Sequence, residues 1–238
     1  MELELQGKTA IITGASKGIG KAIALNLAEE GVNLAICARS KGPLESTAEA
    51  IRKRTGRKVF SQVTDMTDDN SVRNFVEFSL KSLGSVDILV NNAGVDIHNP
   101  IPKIELSDWQ TTLDVNLTCV FLCTQAVFEN MCQQKSGHII NISSTAGVRA
   151  GAEFGSYAAS KFGVIGFTQS TFAEGKRHGV KAYAVCPGPT DTKMRRDNHT
   201  DDLSKLSQPE DVANLIVFLV TQPHTAHILE TVITTPLM

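Results

Sequence analysis

The chain has 238 residues, 42% of them hydrophobic and 20% charged, with a net charge of −2 and a pI near 6.3. This length and balance fit one large α/β domain with ample core, spanning residues 1–238. So small a charge gives no electrostatic grip on nucleic acid or an anionic membrane, and neither is an expected partner. No run approaches the roughly 18 apolar residues of a membrane span. The opening MELELQGKTAIITG lacks the basic start, apolar run and small-residue cleavage site of a signal peptide. The five cysteines (Cys37, Cys119, Cys123, Cys132, Cys186) form no C-x-x-C pair and sit mostly in apolar surroundings. They read as buried free thiols in a reducing compartment, the cytoplasm or an organellar stroma. No metal site is expected.

Along the chain, short apolar runs alternate with longer amphipathic segments. TAIIT (9–13) reads as a strand and GIGKAIALNLAEEG (18–31) as a helix stopped by Gly31. NLAICA (33–38) and a helix over 41–56 repeat the unit, as do KVFSQVT (58–64) and a helix over 68–84. VDILVNNAG (86–94) gives a fourth strand, followed by a loop with Pro100 and Pro102 and one long helix from about Ser107 to Gln134. HIINIS (138–143), a helix from about Ser156 to His178, and VKAYAVC (180–186) follow. After CPGP (186–189) the pattern loosens into a polar stretch, then recovers with a helix over 209–220 and an apolar run, HILETVIT (227–234). Six or seven strands, apolar nearly throughout, imply a parallel sheet covered by helices on both faces. Right-handed crossovers make that a Rossmann-type doubly wound sheet, whose ligands bind beyond the carboxyl ends of the strands.

Two stretches carry chemistry. The first strand runs into TGASKGIG, with Gly14, Gly18 and Gly20 at a strand-to-helix turn. Glycines there let the backbone approach a pyrophosphate, which then rests on the helix N-terminus. The second strand ends at Ala38 and Arg39, with no acidic residue to hold a ribose 2′-hydroxyl, and Lys17 lies in the phosphate loop. Those two cations favour NADP(H) over NAD. In the second stretch, Tyr157 and Lys161 stand at i, i+4, one turn apart on one helix face. An ammonium there would stabilise a phenolate, so Tyr157 is expected to ionise more easily than free tyrosine. Ser144 ends a strand, where its hydroxyl could bond the oxygen that receives the proton.

Together these residues resemble the short-chain dehydrogenase/reductase family, in the subgroup that includes the 3-oxoacyl-[acyl-carrier-protein] reductases. The resemblance runs from Lys8 to about Leu219. It rests on TGASKGIG, Asp65, NNAG (91–94), Asn116 in DVNL, Ser144, Tyr157 with Lys161, and CPGP followed by Thr192. It implies that Gly14, Ser16, Lys17, Gly18, Ile19 and Gly20 hold the pyrophosphate end, with Arg39 and Lys17 on the 2′-phosphate. Asp65 and Met66 would lie against the adenine, with Asn92, Ala93 and Gly94 flanking the adenosine ribose. Tyr157 would be the general acid, Lys161 would bind the nicotinamide ribose and lower the phenol's pKa, and Ser144 would orient the carbonyl. Asn116 would hold a water linking Lys161 to solvent, while Pro187, Gly188, Thr190 and Thr192 would place the nicotinamide.

The resemblance leaves the substrate open. A 3-oxoacyl thioester leads, with an acyl carrier protein as its expected carrier. Lys135, Arg177 and His178 stand where basic residues would attract an acidic carrier. A carbonyl reductase for another small ketone would differ in Val95, His98, Arg149, Glu153 and Phe154. A non-catalytic NADP-binding protein is a third reading, against which the four residues Asn116, Ser144, Tyr157 and Lys161 argue. Arg195 and Arg196 could meet an anionic substrate or be solvated loop charges. A homodimer or homotetramer is implied, although the ending HILETVITTPLM departs from the family's glycine-rich close.

Overall fold

The computed structural model describes residues 5–223 and 225–235. Residues 1–4, at the start of the opening stretch, and the final PLM (236–238) lie outside the described residues. Seven strands form one parallel sheet: β1 (Thr9–Thr13), β2 (Asn33–Ala38), β3 (Val59–Val63), β4 (Ile88–Asn91), β5 (Gly137–Ile142), β6 (Val180–Pro187) and β7 (Glu230–Ile233). Their order is β3-β2-β1-β4-β5-β6-β7. The chain winds outward from β1 to β3, then crosses back to lay β4 on the other side of β1. That reversal opens a crevice at the carboxyl ends of β1 and β4.

Successive side chains on a strand face opposite ways, and the sheet uses both faces. Ile12, Leu34, Ile36, Val90 and Ile140 pack with Ile23, Leu27, Leu44, Ile51, Val212 and Ile216. These last come from α1 (Gly18–Glu29), α2 (Lys41–Thr55) and α8 (Pro209–Val220). Ile11, Ala35, Leu89 and Ile139 face α3 (Asp69–Leu83), α5 (Cys119–Gln134) and α6 (Gly155–Gly175), meeting Phe75, Val127, Met131 and Val164. Every residue of β1 and β6 is buried, so these strands lack the apolar–polar alternation of a half-exposed sheet, and the one charge, Lys181 of β6, donates to the carbonyls of Pro223 and Ala226.

Two segments depart from the sequence reading. The long helix is not uniform: α4 (Leu106–Leu113) passes through a π-helical turn at Asp114–Thr118 before α5 begins. Such a widened turn is often a functional device, and here it contains Asn116. The run Leu106–Gln134 also has the length and apolarity of a membrane span, with half of its most apolar window buried in the protein. Val120, Leu122, Cys123 and Val127 of that run are core residues. The polar stretch after β6 carries a short helix, α7 (Lys193–Asn198), whose start is capped by Thr192 Oγ1 accepting from Arg195 N at 3.2 Å. Ion pairs rather than apolar periodicity hold this segment. Arg195 is bidentate to Asp201 at 2.5 and 3.0 Å, and Arg196 to Asp191 at 2.6 and 2.7 Å.

Candidate active site

A cleft of about 1010 Å³ lies along the carboxyl ends of the strands, at the reversal between β1 and β4. Every residue expected to touch the cofactor lines it, from Gly14 and Arg39 at one end to Tyr157, Lys161 and Thr192 at the other.

The nucleotide end is built by a clamp between β1 and β4. Thr13 Oγ1 accepts from the backbone N–H groups of Asn92 and Ala93, both at 3.0 Å. Asn92 Nδ2 donates back to the carbonyls of Thr13 at 2.9 Å and Gly14 at 3.2 Å. Asn92 thus fixes the turn that precedes α1 and is more than a strand end. Gly14 has φ +68°, a left-handed conformation, and a side chain there would press on Ala93 and Asn92. At Gly20 a Cβ would stand 2.3 Å from Asn92 Nδ2 and 2.5 Å from the Gly14 carbonyl oxygen. Gly20→Ala should therefore destabilise the protein by about 1–3 kcal/mol, read by urea unfolding, because the crowded neighbour is backbone. Lys17 enters α1 in an extended conformation, and no side chain caps the helix. Its first N–H groups are free to meet an anion. Lys17 and Arg39 are exposed at this end. The Asp65 carboxyl is held below the usual range, first by the Thr67 N–H and hydroxyl and also by the charge of Arg39.

At the other end, β5 delivers Ser144 and α6 delivers Tyr157 and Lys161. Lys161 is 4% exposed, and its ammonium donates to the Ile142 carbonyl at 2.9 Å. Burial lowers its pKa to about 8, against smaller opposing contributions from Cys119 and Asp96. Tyr157 corrects the expectation of an easily ionised phenol. Burial pushes its pKa well above the usual tyrosine value and Asp96 adds to this, while the hydrogen bond with Ser144 and the charge of Arg195 pull it down less. Lys161 Nζ sits 5.6 Å from the Tyr157 ring centroid, directed to Ile142, and does not outweigh desolvation. Tyr157 is thus a phenol that keeps its proton at neutral pH.

Asn116 stands behind the cleft rather than on its wall. It is fully buried, with Oδ1 accepting from Val95 N at 2.8 Å and Nδ2 donating to the Val95 carbonyl at 3.0 Å and Ser160 Oγ at 3.1 Å. Its side chain is therefore committed to the loop after β4. Deeper still, Asn91 Nδ2 donates to Asn141 Oδ1 at 2.8 Å, and Asn141 Nδ2 donates to Thr168 Oγ1 at 2.8 Å. That chain of polar groups ties β4, β5 and α6 together beneath the reacting end.

Other expectations move. Val95, Arg149 and Phe154 line the cleft, whereas His98 turns to Asp96 and the Glu153 side chain is exposed. Arg195 and Arg196 are paired within their own segment. Lys135, Arg177 and His178 lie at the amino ends of β5 and β6, because α5 and α6 run antiparallel to the strands. A strand the length of β5 puts them roughly 20 Å from this chain's own cleft. Sequence reasoning missed Asp96, which lines the cleft and influences Tyr157; only folding of its loop brings it there. All five cysteines are free, four of them buried.

The fold and this arrangement find their counterpart among known proteins. A family model described as short chain dehydrogenase matches residues 8–203, and the chain belongs to that family of oxidoreductases. Among its relatives is a 3-oxoacyl-[acyl-carrier-protein] reductase of Synechocystis sp., 38% identical over 231 residues, covering 94% of this chain and 93% of the relative. The reductase FabG of Staphylococcus aureus is 36% identical over 225 residues, covering 90% and 91%. A short chain dehydrogenase from Burkholderia cenocepacia, solved in complex with NADP, superimposes with a TM-score of 0.88 at 31% identity over 97% of each chain.

Proposed function

We propose that this chain is an NADP(H)-dependent reductase that delivers hydride to a ketone, foremost the 3-oxo group of an acyl thioester. The observation that carries this reading is the joining, in one cleft, of a cationic glycine turn and a protonated Tyr157 beside Ser144 and Lys161. The residues fit the cofactor. Gly14 and Gly20 let the turn close tightly against Asn92 and Ala93, the start of α1 carries no side-chain cap, and Lys17 and Arg39 are exposed where a 2′-phosphate would rest. Bound NADPH supplies the hydride.

This chain's own residues do the rest. Tyr157 holds a proton at Oη and gives it to the carbonyl oxygen as negative charge grows there. Ser144 Oγ stands near enough to lower the phenol's pKa and steadies the same oxygen. Lys161 places a cation beside the phenol, and Asn116 holds the Val95 loop in register with it. Replacement of the spent proton runs toward Lys161.

The thioester choice is supported by the reductases to which the chain is similar. The paired state of Arg195 and Arg196 favours a second reading, reduction of a neutral small ketone, since it leaves the covering segment without an unpaired arginine. A homodimer or homotetramer in a reducing cytoplasm belongs to either reading. The deciding test follows NADPH oxidation with an acetoacetyl thioester beside simple ketones, with NADH as control. Oxidation restricted to the thioester supports the first choice; oxidation with simple ketones alone replaces it with the second. No oxidation of either would overturn the reductase reading. Arg39→Ser should weaken NADPH binding roughly tenfold, the value of one charge-assisted hydrogen bond, and leave NADH binding unchanged. Fluorescence titration of both nucleotides measures this.

A further inference from the structure

Past Tyr157, the mouth of the cleft is flanked by three side chains that the reductase reading leaves unused. Asp96 and His98 come from the loop after β4, and His199 caps the end of α7 on the opposite side. Donor atoms of the three lie within 4.8 Å of one another. Asp96 Oδ1 meets His98 Nε2, and Asp96 Oδ2 is 3.7 Å from His199 Nε2. The two imidazoles are each 18% exposed and Asp96 10%. His199 Nε2 is buried and makes no hydrogen bond. A buried polar atom left without a partner is costly, and this one faces a carboxylate at a distance too long to bond.

We propose that Asp96, His98 and His199 bind one divalent ion of the zinc class. Two imidazoles and one carboxylate form a donor set that zinc accepts with a further position left open, and nickel and cobalt suit the same ligands. Bonds of about 2.0–2.2 Å set tetrahedral ligand atoms roughly 3.3–3.5 Å apart, close to the Asp96–His199 separation. The ion would take the place of the hydrogen between Asp96 Oδ1 and His98 Nε2, the neutral imidazole then carrying its one proton at Nδ1. Arg195, the nearby cation, is committed to Asp201 and makes no bond to Asp96. Asn198 Nδ2 donates to the Asp96 carbonyl at 3.0 Å, so the two sides of the cleft mouth already touch. An ion held by Asp96, His98 and His199 would pin them together. This goes against the sequence expectation of no metal, and the reason is plain: the third ligand lies about a hundred residues from the first two.

The test uses the full chain, stripped with chelator and titrated with Co2+ and then Zn2+. One equivalent of Co2+ should bind with the visible absorption of a four-coordinate site, and Zn2+ should displace it. His199→Gln and Asp96→Asn should each weaken zinc binding at least tenfold and abolish the rise in Tm that zinc gives the unaltered protein. Cys132→Ser, which alters the cysteine that is not fully buried, should change neither. No saturable binding, undiminished affinity in His199→Gln, or loss of binding in Cys132→Ser would overturn the proposal. None of these readouts depends on turnover, so the site stands or falls apart from the reductase reading.

Discussion

Tyr157→Phe should lower turnover about a thousandfold while changing NADPH affinity by less than about threefold. The substitution removes one oxygen from a ring that otherwise packs unchanged against Phe154, 6.2 Å away between centroids. Burial keeps the phenol protonated, so in the unaltered protein the acid form is present in every molecule at neutral pH. Loss of a positioned general acid is worth about 10²–10⁴ in rate, and no other side chain on the cleft wall stands in the same place. Single-turnover rates together with nucleotide titrations separate the two effects. Turnover within tenfold of the unaltered protein would remove Tyr157 from the mechanism.

Lys161→Met carries the second large effect, and the expected result has two signs. Turnover should fall at least a hundredfold, because the cation beside the phenol is gone. Stability at pH 7 should rise. A lysine brought from its ordinary range down to about 8 by burial carries a penalty on the order of 3 kcal/mol for holding its charge in the folded state. The lost bond to the Ile142 carbonyl returns about 1 kcal/mol of that, leaving a net gain of roughly 2 kcal/mol. The folded pKa lies below the unfolded one, so the unfolded chain binds more protons between about pH 8 and the ordinary lysine range. Stability of the unaltered protein should therefore climb with pH across that window, and the variant should lack Lys161's part of that climb. Urea unfolding from pH 7 to 10 measures both curves. A variant less stable than its parent at pH 7 would mean that the ammonium is not a strained buried charge.

Much of the fold could be read from the chain, for a physical reason. Runs such as TAIIT and NLAICA coincide with β1 and β2 residue for residue, since a strand buried on both faces has an unbroken apolar centre, here AII and LAICA, that polar or turn residues bound. The π-helical turn around Asn116 could not be read, because it pairs with the Val95 peptide, which belongs to a loop whose path no periodicity describes. α7 was hidden likewise, being held by arginine–aspartate pairs within a polar stretch. At the site, glycine spacing and the i, i+4 pair pointed to residues that the fold brings to one cleft. The direction of the Tyr157 shift was not legible: proximity to Lys161 is a matter of spacing, while desolvation depends on everything else packed around the ring. The placement of Lys135, Arg177 and His178 failed for a related reason. A helix antiparallel to its strands carries its two ends to opposite edges of the sheet, and sequence proximity to Tyr157 does not reveal that.

The reversal of strand order between β1 and β4 also shapes how this protein can diverge. Lys17 and Arg39, which the proposed reading gives the choice of nucleotide, belong to the half of the sheet grown outward from β1. Ser144, Tyr157 and Lys161, to which the same reading gives the proton, belong to the half grown from β4. The halves meet along the β1–β4 pairing, which the Thr13–Asn92 clamp closes at its carboxyl end. On that reading, coenzyme preference and carbonyl chemistry are separately mutable traits, and a lineage could exchange one without rebuilding the other.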